Sequence, residues 1–422
     1  MNRLKIAVLG STLAVAGLCA YGTANAADEN KGDQAKGPQI SRFLAKPLKA
    51  AQDAMKAQKF DDEIAKLKEA QAAKGEKSAY DDYVINAMLG AAYAGQHDGN
   101  DAAPALQAAA LSQYATAEQQ KAWLTAVVGI YYQKMDYPKA IEAGQQALKH
   151  GVTSSDMYAT IALAQNALGK YKDAAATIQQ VIGKQSKPDE KFLVFQWTAY
   201  THAKDQADAS KVIEKLVTYY PKPDYWLNAL NPLLHMNISD AHLQLDVYRL
   251  MDDVGVLKQP RDYAEMAELA FDEGYPGEAA TVLEKAFAQN AFTDPRDIMR
   301  YQHLLTGAKQ RAAADQAQLP AQEEKASSAA TGDQLVAVGS AYLSYGQFDK
   351  AISALTRGIA KGGLKYPEQA SVLLGVAQLR THKIAEAQKS FDKAADSGNA
   401  GYAQLGKLWG LHAQSAPSHT PA

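Results

Sequence analysis

The sequence has only one cysteine, Cys19, in 422 residues. It lies in the N-terminal segment discussed next, so the rest of the chain has no thiolate nucleophile, disulfide or cysteine metal ligand. A charge excess is also lacking: 44 Lys and Arg against 46 Asp and Glu give a net charge of −2. No overall field would therefore attract nucleic acid or an anionic membrane. Strictly alternating β-branched runs are absent and alanine is abundant, which favours an all-helical chain.

The first 26 residues have the pattern of a secretory signal peptide. Arg3 and Lys5 precede an apolar run over residues 6–20, and an Ala-Asn-Ala triplet ends at Ala26. We expect cleavage after Ala26 and a periplasmic mature protein. The alternative is an uncleaved membrane anchor, for which the apolar run is short of the roughly 20 residues that a span needs.

Cleavage would remove Cys19 and two cations, leaving a formal charge of −4. A lipoprotein is not favoured, because the bulky Leu18 precedes Cys19 where a lipobox has a small residue. Residues 27–40 are polar and lack large apolar side chains apart from Ile40, which predicts a disordered leader.

An internal repeat organises the remaining chain. Residues 127–149 and 161–183 follow one plan, a helix, a tight turn and a second helix, offset by 34 residues. Ala140 aligns with Ala174 across this offset. A fixed period with small residues at fixed positions predicts helical hairpins that bury their apolar faces by stacking on neighbours.

The same small residue recurs farther along at Ala209, Ala279, Ala351 and Ala387. The two double-length gaps predict degenerate hairpins centred near Gln244 and Asp315. In the first hairpin, Glu63 occupies the position where alanine is usual. Altogether, this spacing predicts about ten helical hairpins over residues 41–397. The residues at this position are small because a larger side chain would prevent the two helices from approaching closely.

These features resemble the tetratricopeptide repeat (TPR) family. Leu89, Gly90 and Tyr93 match its leucine–glycine–tyrosine pattern, and Pro221 matches its closing proline. The resemblance implies a right-handed superhelical solenoid whose concave groove, lined by first helices, holds peptides or partner segments. The build and the stretch YYPKPDYWLNAL are also similar to secreted Gram-negative TPR proteins associated with the TonB system.

The predicted organisation follows from the spacing of the repeats. We expect an N-terminal superhelix over 41–309 and a C-terminal repeat pair with a capping helix over 334–412. Between them, residues 310–333 contain Pro320 and few large apolar side chains, which predicts a degenerate hairpin or hinge. Residues 413–422 are predicted to be a tail.

The repeat register also predicts which side chains face the groove. The set is mixed polar and aromatic, which suits an extended peptide. Its members are Tyr132, Gln133, Asn166, Lys191, Thr198, Thr201 and His202. The alternative is that these are ordinary solvated or packing residues.

The sequence nominates no catalytic residue. It contains no phosphate-binding glycine loop, serine elbow or zinc-protease motif. His235 and His242 could share a helix face, but no acidic ligand is placed to complete a metal site. Asp252 and Asp253 are better explained as a charged helix end. We therefore predict no enzyme activity, no cofactor and no metal.

An aromatic cluster remains to be explained. It comprises Trp197, Tyr200, Tyr219, Tyr220, Tyr225 and Trp226. Such rings could bind sugar or peptide, although in a helical repeat they more often pack inside the hairpins.

The predicted function is a non-enzymatic periplasmic scaffold that binds envelope proteins or peptide segments in its groove. It would contact no nucleic acid, and would meet the membrane only through its partners. A transport or TonB-type energy-transduction complex is one candidate setting. The alternative is a carbohydrate-binding scaffold in exopolysaccharide or cell-wall assembly.

Overall fold

The computed structural model of the protein describes residues 38–236 and 240–415. Within these ranges the chain forms twenty α-helices and a short 3-10 helix at Arg42–Leu44, with no β-strand. This confirms the all-α helical-repeat fold predicted from the sequence. The predicted signal peptide and most of the leader lie outside the described residues. No helix within them is both long and apolar enough to cross a membrane.

The described residues fall into two compact units, unit 1 up to Ala209 and unit 2 from Ser210 onward. The sequence predicted the main interruption at residues 310–333 instead. The boundary falls early in α10, between the successive residues Ala209 and Ser210. Because this helix carries a regular repeat position, its sequence shows no linker at which a boundary could be recognised.

Unit 1 is a succession of helical hairpins. Its helices are α1 (Ala45–Lys56), α2 (Phe60–Ala72), α3 (Ala79–Gly95), α4 (Gly99–Ala110), α5 (Ala117–Gln133), α6 (Tyr137–Lys149), α7 (Ser155–Ala167), α8 (Tyr171–Ile182) and α9 (Glu190–His202), followed by the boundary helix α10 (Gln206–Tyr219). Each helix from α2 to α8 packs on the helices before and after it, which is the nearest-neighbour pattern of a repeat array.

Unit 2 contains the other ten helices. They are α11 (Pro223–Met236), α12 (Ala241–Asp253), α13 (Pro260–Asp272), α14 (Pro276–Ala288), α15 (Pro295–Ser327), α16 (Asp333–Ser344), α17 (Phe348–Lys361), α18 (Pro367–Arg380), α19 (Ile384–Ala395) and α20 (Ala400–Ser415). The degenerate hairpin predicted near Gln244 is present as α11 and α12.

The hairpin turns share one backbone device. In the hairpin turns that the structure describes, a single residue has a positive φ, for example Met135 at 58° and Gly169 at 72°. The next residue then donates a backbone hydrogen bond into the preceding helix, as Asp136 does to the Tyr131 carbonyl at 3.0 Å. This left-handed turn satisfies a carbonyl at the helix end and reverses the chain.

The small residues of the repeat are buried where the hairpins stack. Ala140, Ala174, Ala279 and Ala351 are each 0 % exposed. Each is the fourth residue of a second helix. This placement confirms the register on which the predicted fold rests.

One predicted hairpin is wrong. Residues 310–333 do not form a hairpin centred near Asp315, because α15 continues as one helix through Pro320 to Ser327. Leu319, fully buried, belongs to the apolar cluster shared with α16 and α17. Glu323 accepts hydrogen bonds from Tyr342 and Arg357. These tertiary contacts hold the second half of the helix, while Pro320 faces solvent.

The last helix of the described chain makes an additional set of contacts within unit 2. α20 packs on α19, as a capping helix would, and it also contacts α11, α12 and α18. It begins at Ala400 and ends at Ser415, so the first three residues of the predicted tail are helical. The last helix of unit 2 therefore packs against the first hairpin of the same unit.

Candidate functional site

The predicted groove residues all lie on first helices of unit 1. Tyr132 and Gln133 end α5, Asn166 lies near the end of α7, and the other four lie on α9. Since α5 packs beside α7, the first two groups occupy neighbouring helices. Gln133, Lys191, Thr201 and His202 are exposed, and the others are half-buried.

Several of these side chains already have partners in the chain. The Thr198 and Thr201 hydroxyls donate to backbone carbonyls four residues earlier, each at 2.8 Å. The Tyr132 ring packs against Tyr137 with 5.8 Å between centroids, and burial raises the pKa of Tyr132. The hydrogen-bonding capacity of Thr198 and Thr201 is therefore partly used inside the hairpins.

The remaining groove residues are more accessible to a partner. The Lys191 ammonium lies 4.8 Å from the Phe192 ring centroid, and His202 packs edge-on against Tyr171 at 5.2 Å. Gln133 and Asn166 have side-chain amides, which can donate and accept hydrogen bonds at once. These four positions offer the polar contacts expected for binding a peptide main chain.

Unit 2 contains a cavity that the sequence did not predict. It has a volume of about 510 Å³ and lies among α12, α13, α14, α16, α17, α18 and α20. Its wall combines charged and aromatic side chains. The charged and aromatic residues of this wall include Arg249, Asp252, Glu278, Tyr345, Arg380 and Trp409.

A buried ion triad forms one side of this cavity. The Arg249 guanidinium donates to Glu278 through Nε at 2.8 Å and through one terminal nitrogen at 2.5 Å. Its other terminal nitrogen donates to Asp246 at 2.5 Å. Burial opposes the charge on Arg249, but the carboxylates of Glu278 and Asp246 raise its pKa. A guanidinium held this way is a fixed wall element rather than a mobile ligand.

Asp246 is fully buried, and its second oxygen accepts a hydrogen bond from the Tyr402 hydroxyl of α20 at 3.0 Å. Complete burial raises the pKa of Asp246, and the hydrogen bonds from Arg249 and Tyr402 oppose that rise. Both carboxylate oxygens thus have donors, which is the condition for burying such a group without a large desolvation cost.

A second charged group lies at the end of α12. Asp253 pairs with Arg380 of α18 at 2.5 Å and with His412 of α20 at 2.8 Å. Burial alone would raise the pKa of Asp253, but His412 and Arg380 lower it overall. The His412 ring also lies edge-on to Trp226, with 6.0 Å between centroids.

The charged side chains of the cavity wall all have ion-pair partners. Asp252 pairs with Lys285, and Arg249, Glu278 and Arg380 are paired as described. Charged groups held in fixed pairs can recognise polar groups of a ligand. Aromatic walls from Tyr345 and Trp409 complete a mixed lining. The geometry suits recognition of a segment with both polar and apolar groups.

The two histidines weighed as metal ligands do not converge. His242 lies 3.1 Å from Glu273 and packs against Tyr366. His235 instead lies near Glu265, whose pKa it helps to lower. No group of three or more His, Cys, Asp or Glu residues within 38–236 and 240–415 is arranged to hold a metal ion.

The aromatic cluster is not an exposed platform. The Trp226 ring is 3 % exposed and lies in unit 2, whereas Trp197 is half-buried and lies in unit 1. Packing inside the hairpins therefore accounts for Trp226, whereas the tyrosines of the cluster, Tyr200, Tyr219, Tyr220 and Tyr225, are half-buried.

Sequence reasoning missed Asp246, Arg249, Glu278 and Tyr402. One available signal was the charge within LDVYRLMDD, since three acids and an arginine interrupt an apolar helix in the degenerate repeat. Charged residues rarely become fully buried unless they are paired. The distant partners, Glu278 and Tyr402, could not be assigned from one sequence.

Comparison with known proteins gives structural matches, among them two distant ones. No protein-family model and no curated protein matches the chain. Among solved structures, a tetratricopeptide repeat protein from Parabacteroides merdae is 13 % identical, with a TM-score of 0.30, over 80 % of this chain and all of that one. A chain of the Naa15/Naa10 complex bound to HypK-THB is 15 % identical, with a TM-score of 0.28, over 84 % of this chain and 59 % of that one. At such scores, the fold assignment rests on the helices and repeat of the chain itself.

Proposed function

We propose that the protein is a non-enzymatic scaffold that holds protein partners against the first helices of unit 1. The observation that carries this proposal is a polar set on first helices of consecutive hairpins, in which Gln133, Lys191 and His202 are exposed and Asn166 is half-buried. The second helices meanwhile bury their small residues in the stack. Such an array can hold an extended segment on a largely preformed surface.

The proposed location is the periplasm. It is supported by Arg3, Lys5 and the apolar run over residues 6–20, and by the small-residue cleavage site that follows this run and ends at Ala26. The partners would then be envelope proteins, for which a transport or TonB-type energy-transduction complex is the setting we favour. Cell fractionation combined with the intact mass of the exported chain tests this: the periplasmic fraction should contain a chain beginning at Ala27.

Site-specific photo-crosslinking tests the binding surface. A photoreactive amino acid placed at Gln133 or Lys191 should give discrete crosslinked adducts in cells. The matched control is Gln145, an exposed residue on the second helix α6. Adducts of equal yield and mass at Gln145, or no adducts at Gln133 and Lys191, would contradict binding at the first helices.

A further inference from the structure

The first hairpin contains a glutamate at a position where alanine recurs along the repeat, in α4, α6, α8, α10, α14, α17 and α19. Glu63 is the fourth residue of α2, as Ala140 is of α6 and Ala174 is of α8. These alanines lie at closely packed helix contacts and are 0 % exposed. A carboxyl group therefore lies at a position that the repeat builds for a methyl group.

The structure buries this carboxyl. Glu63 is 1 % exposed, and its Oε1 has no hydrogen-bond partner among the described residues. The helix α2 packs on α1 and on α3. A buried carboxylate without partners is unfavourable, whereas the neutral acid is tolerated. Burial raises the pKa of Glu63 to about 7, and no neighbouring charge contributes to the shift.

The charged side chains on the surrounding helices are directed elsewhere. Those of α1 and α2 are exposed, namely Lys46, Lys49, Asp53, Lys56, Asp61, Asp62, Lys66, Lys68 and Glu69. On α3, Asp82 is exposed and Asp81 is occupied by serine donors. Of the α3 tyrosines, Tyr83 bonds Gln119, Tyr93 faces Lys68, and Tyr80 packs on Tyr114. Among the described residues, no cation is placed to stabilise an ionised Glu63.

Both ends of the first hairpin meet at one residue. Asp81, fully buried at the start of α3, accepts hydrogen bonds from the Ser41 backbone N–H at 2.9 Å and from its hydroxyl at 2.6 Å. It also accepts from the Ser78 backbone N–H and hydroxyl, each at 2.8 Å. Residues 42–77, which contain α1 and α2, are thus joined to α3 at both ends. A movement of this hairpin relative to α3 would pivot at Asp81, where the four donors of Ser41 and Ser78 converge.

We propose that the first hairpin is a pH-controlled flap, hinged at Asp81, which packs on α3 while Glu63 is neutral and separates from α3 when Glu63 is ionised. The inference does not depend on the proposed partner-binding surface. It assigns Glu63 a positioning role, since the carboxyl controls the hairpin and touches no ligand. Opening would withdraw Phe60 from Gly95, where the two helices pack so closely that a Cβ on Gly95 would lie 2.6 Å from the ring.

The direction of the pH effect follows from linkage. In the open flap the pKa of Glu63 would return to its ordinary value of 4.5. In the closed flap burial raises this pKa to about 7, so the carboxyl keeps its proton up to about pH 7. The closed flap therefore binds more protons between these values, and raising the pH across them favours opening. The equilibrium constant for opening should rise about tenfold per pH unit in this window and level off above pH 7.

Hydrogen–deuterium exchange of the full mature chain measures this opening. Protection of the α2 amides, corrected for intrinsic exchange, should fall by several tens of fold from pH 5 to pH 8, with α8 amides as the internal reference. Glu63→Gln keeps the size and removes the charge, so its α2 protection should not depend on pH. Glu63→Ala restores the repeat residue and should also be independent of pH.

Two results would overturn the proposal. One is an α2 protection in the native chain that does not change relative to α8 between pH 5 and pH 8. The other is the same pH dependence in Glu63→Gln as in the native chain, which would assign the titration to another group. Native-chain opening that also exposes α3 to α8 would show global unfolding and would contradict a hinged flap.

Discussion

The Tyr402 hydroxyl donates a hydrogen bond of 3.0 Å to the carboxylate of Asp246, across 156 residues of sequence. Asp246 is fully buried and Tyr402 is 1 % exposed. This contact joins α20 to the first hairpin of unit 2. It also completes the hydrogen bonds of a carboxylate whose other oxygen is held by Arg249.

Tyr402→Phe should destabilise unit 2 by about 1–3 kcal/mol. The substitution removes one donor and leaves a buried oxygen of Asp246 unsatisfied, which costs more than the hydrogen bond itself contributes. Chemical denaturation monitored by circular dichroism measures the change. Tyr171→Phe in unit 1 is the matched control and should have little effect, because Tyr171 is half-buried and makes no side-chain hydrogen bond within the described residues. Equal effects of both variants would contradict this role for Tyr402.

Arg249→Met should cost about 3–5 kcal/mol, because it leaves Asp246 and Glu278 buried without their counter-charge. Arg261→Met is the control. Arg261 also pairs with a glutamate, Glu265 at 2.6 Å, but its side chain is 79 % exposed. An exposed pair of this kind is worth up to about 1 kcal/mol. The melting temperature should therefore fall much further in Arg249→Met than in Arg261→Met. Similar melting temperatures of the two variants would argue against a structural role for the triad.

The same substitution should have opposite effects at two glycines of unit 1. Gly169 has φ 72° in the α7–α8 turn, so Gly169→Ala should lower the free energy of unfolding by about 1–2 kcal/mol. Gly129 lies inside α5, and a Cβ added there would meet nothing within 4 Å. Gly129→Ala should raise stability by about 0.5–1 kcal/mol, since glycine weakens a helix interior. Denaturation midpoints that move in the same direction would contradict the turn assignment.

Ala174→Phe should destabilise unit 1 by about 1–3 kcal/mol through overpacking. Ala174 is fully buried, whereas Ala176, two residues along the same helix, is exposed. Ala176→Phe should therefore leave the melting temperature nearly unchanged. If the two variants behave alike, the repeat register is incorrect.

The hairpins could be predicted because each depends on short-range pattern. The spacing from Ala140 to Ala174 places both at helix contacts, and the structure buries both completely. Helix-forming residues, a left-handed turn and small contact residues all act within about forty positions of each other. Such agreement between local preference and packing is what makes a repeat readable from one sequence.

The rest depended on contacts between distant residues. Pro320 argues for a break, yet Leu319 and Glu323 bind to α16 and α17 and hold the helix through it. The pairing of Arg249 with Glu278 requires two hairpins to pack at a particular angle. Glu63 departs from the repeat in the sequence, but only the structure shows that its Oε1 is buried without a hydrogen-bond partner among the described residues.

The contact between α20 and α12 also has a consequence for biosynthesis. The hairpins of unit 1 contact near neighbours in sequence, so each can pack as soon as the next has been made. Asp246 in unit 2 lacks its second donor until Tyr402 has been translated. Unit 2 should therefore complete its fold late, after α20 has been made. Until then it would be the part of the protein most exposed to aggregation.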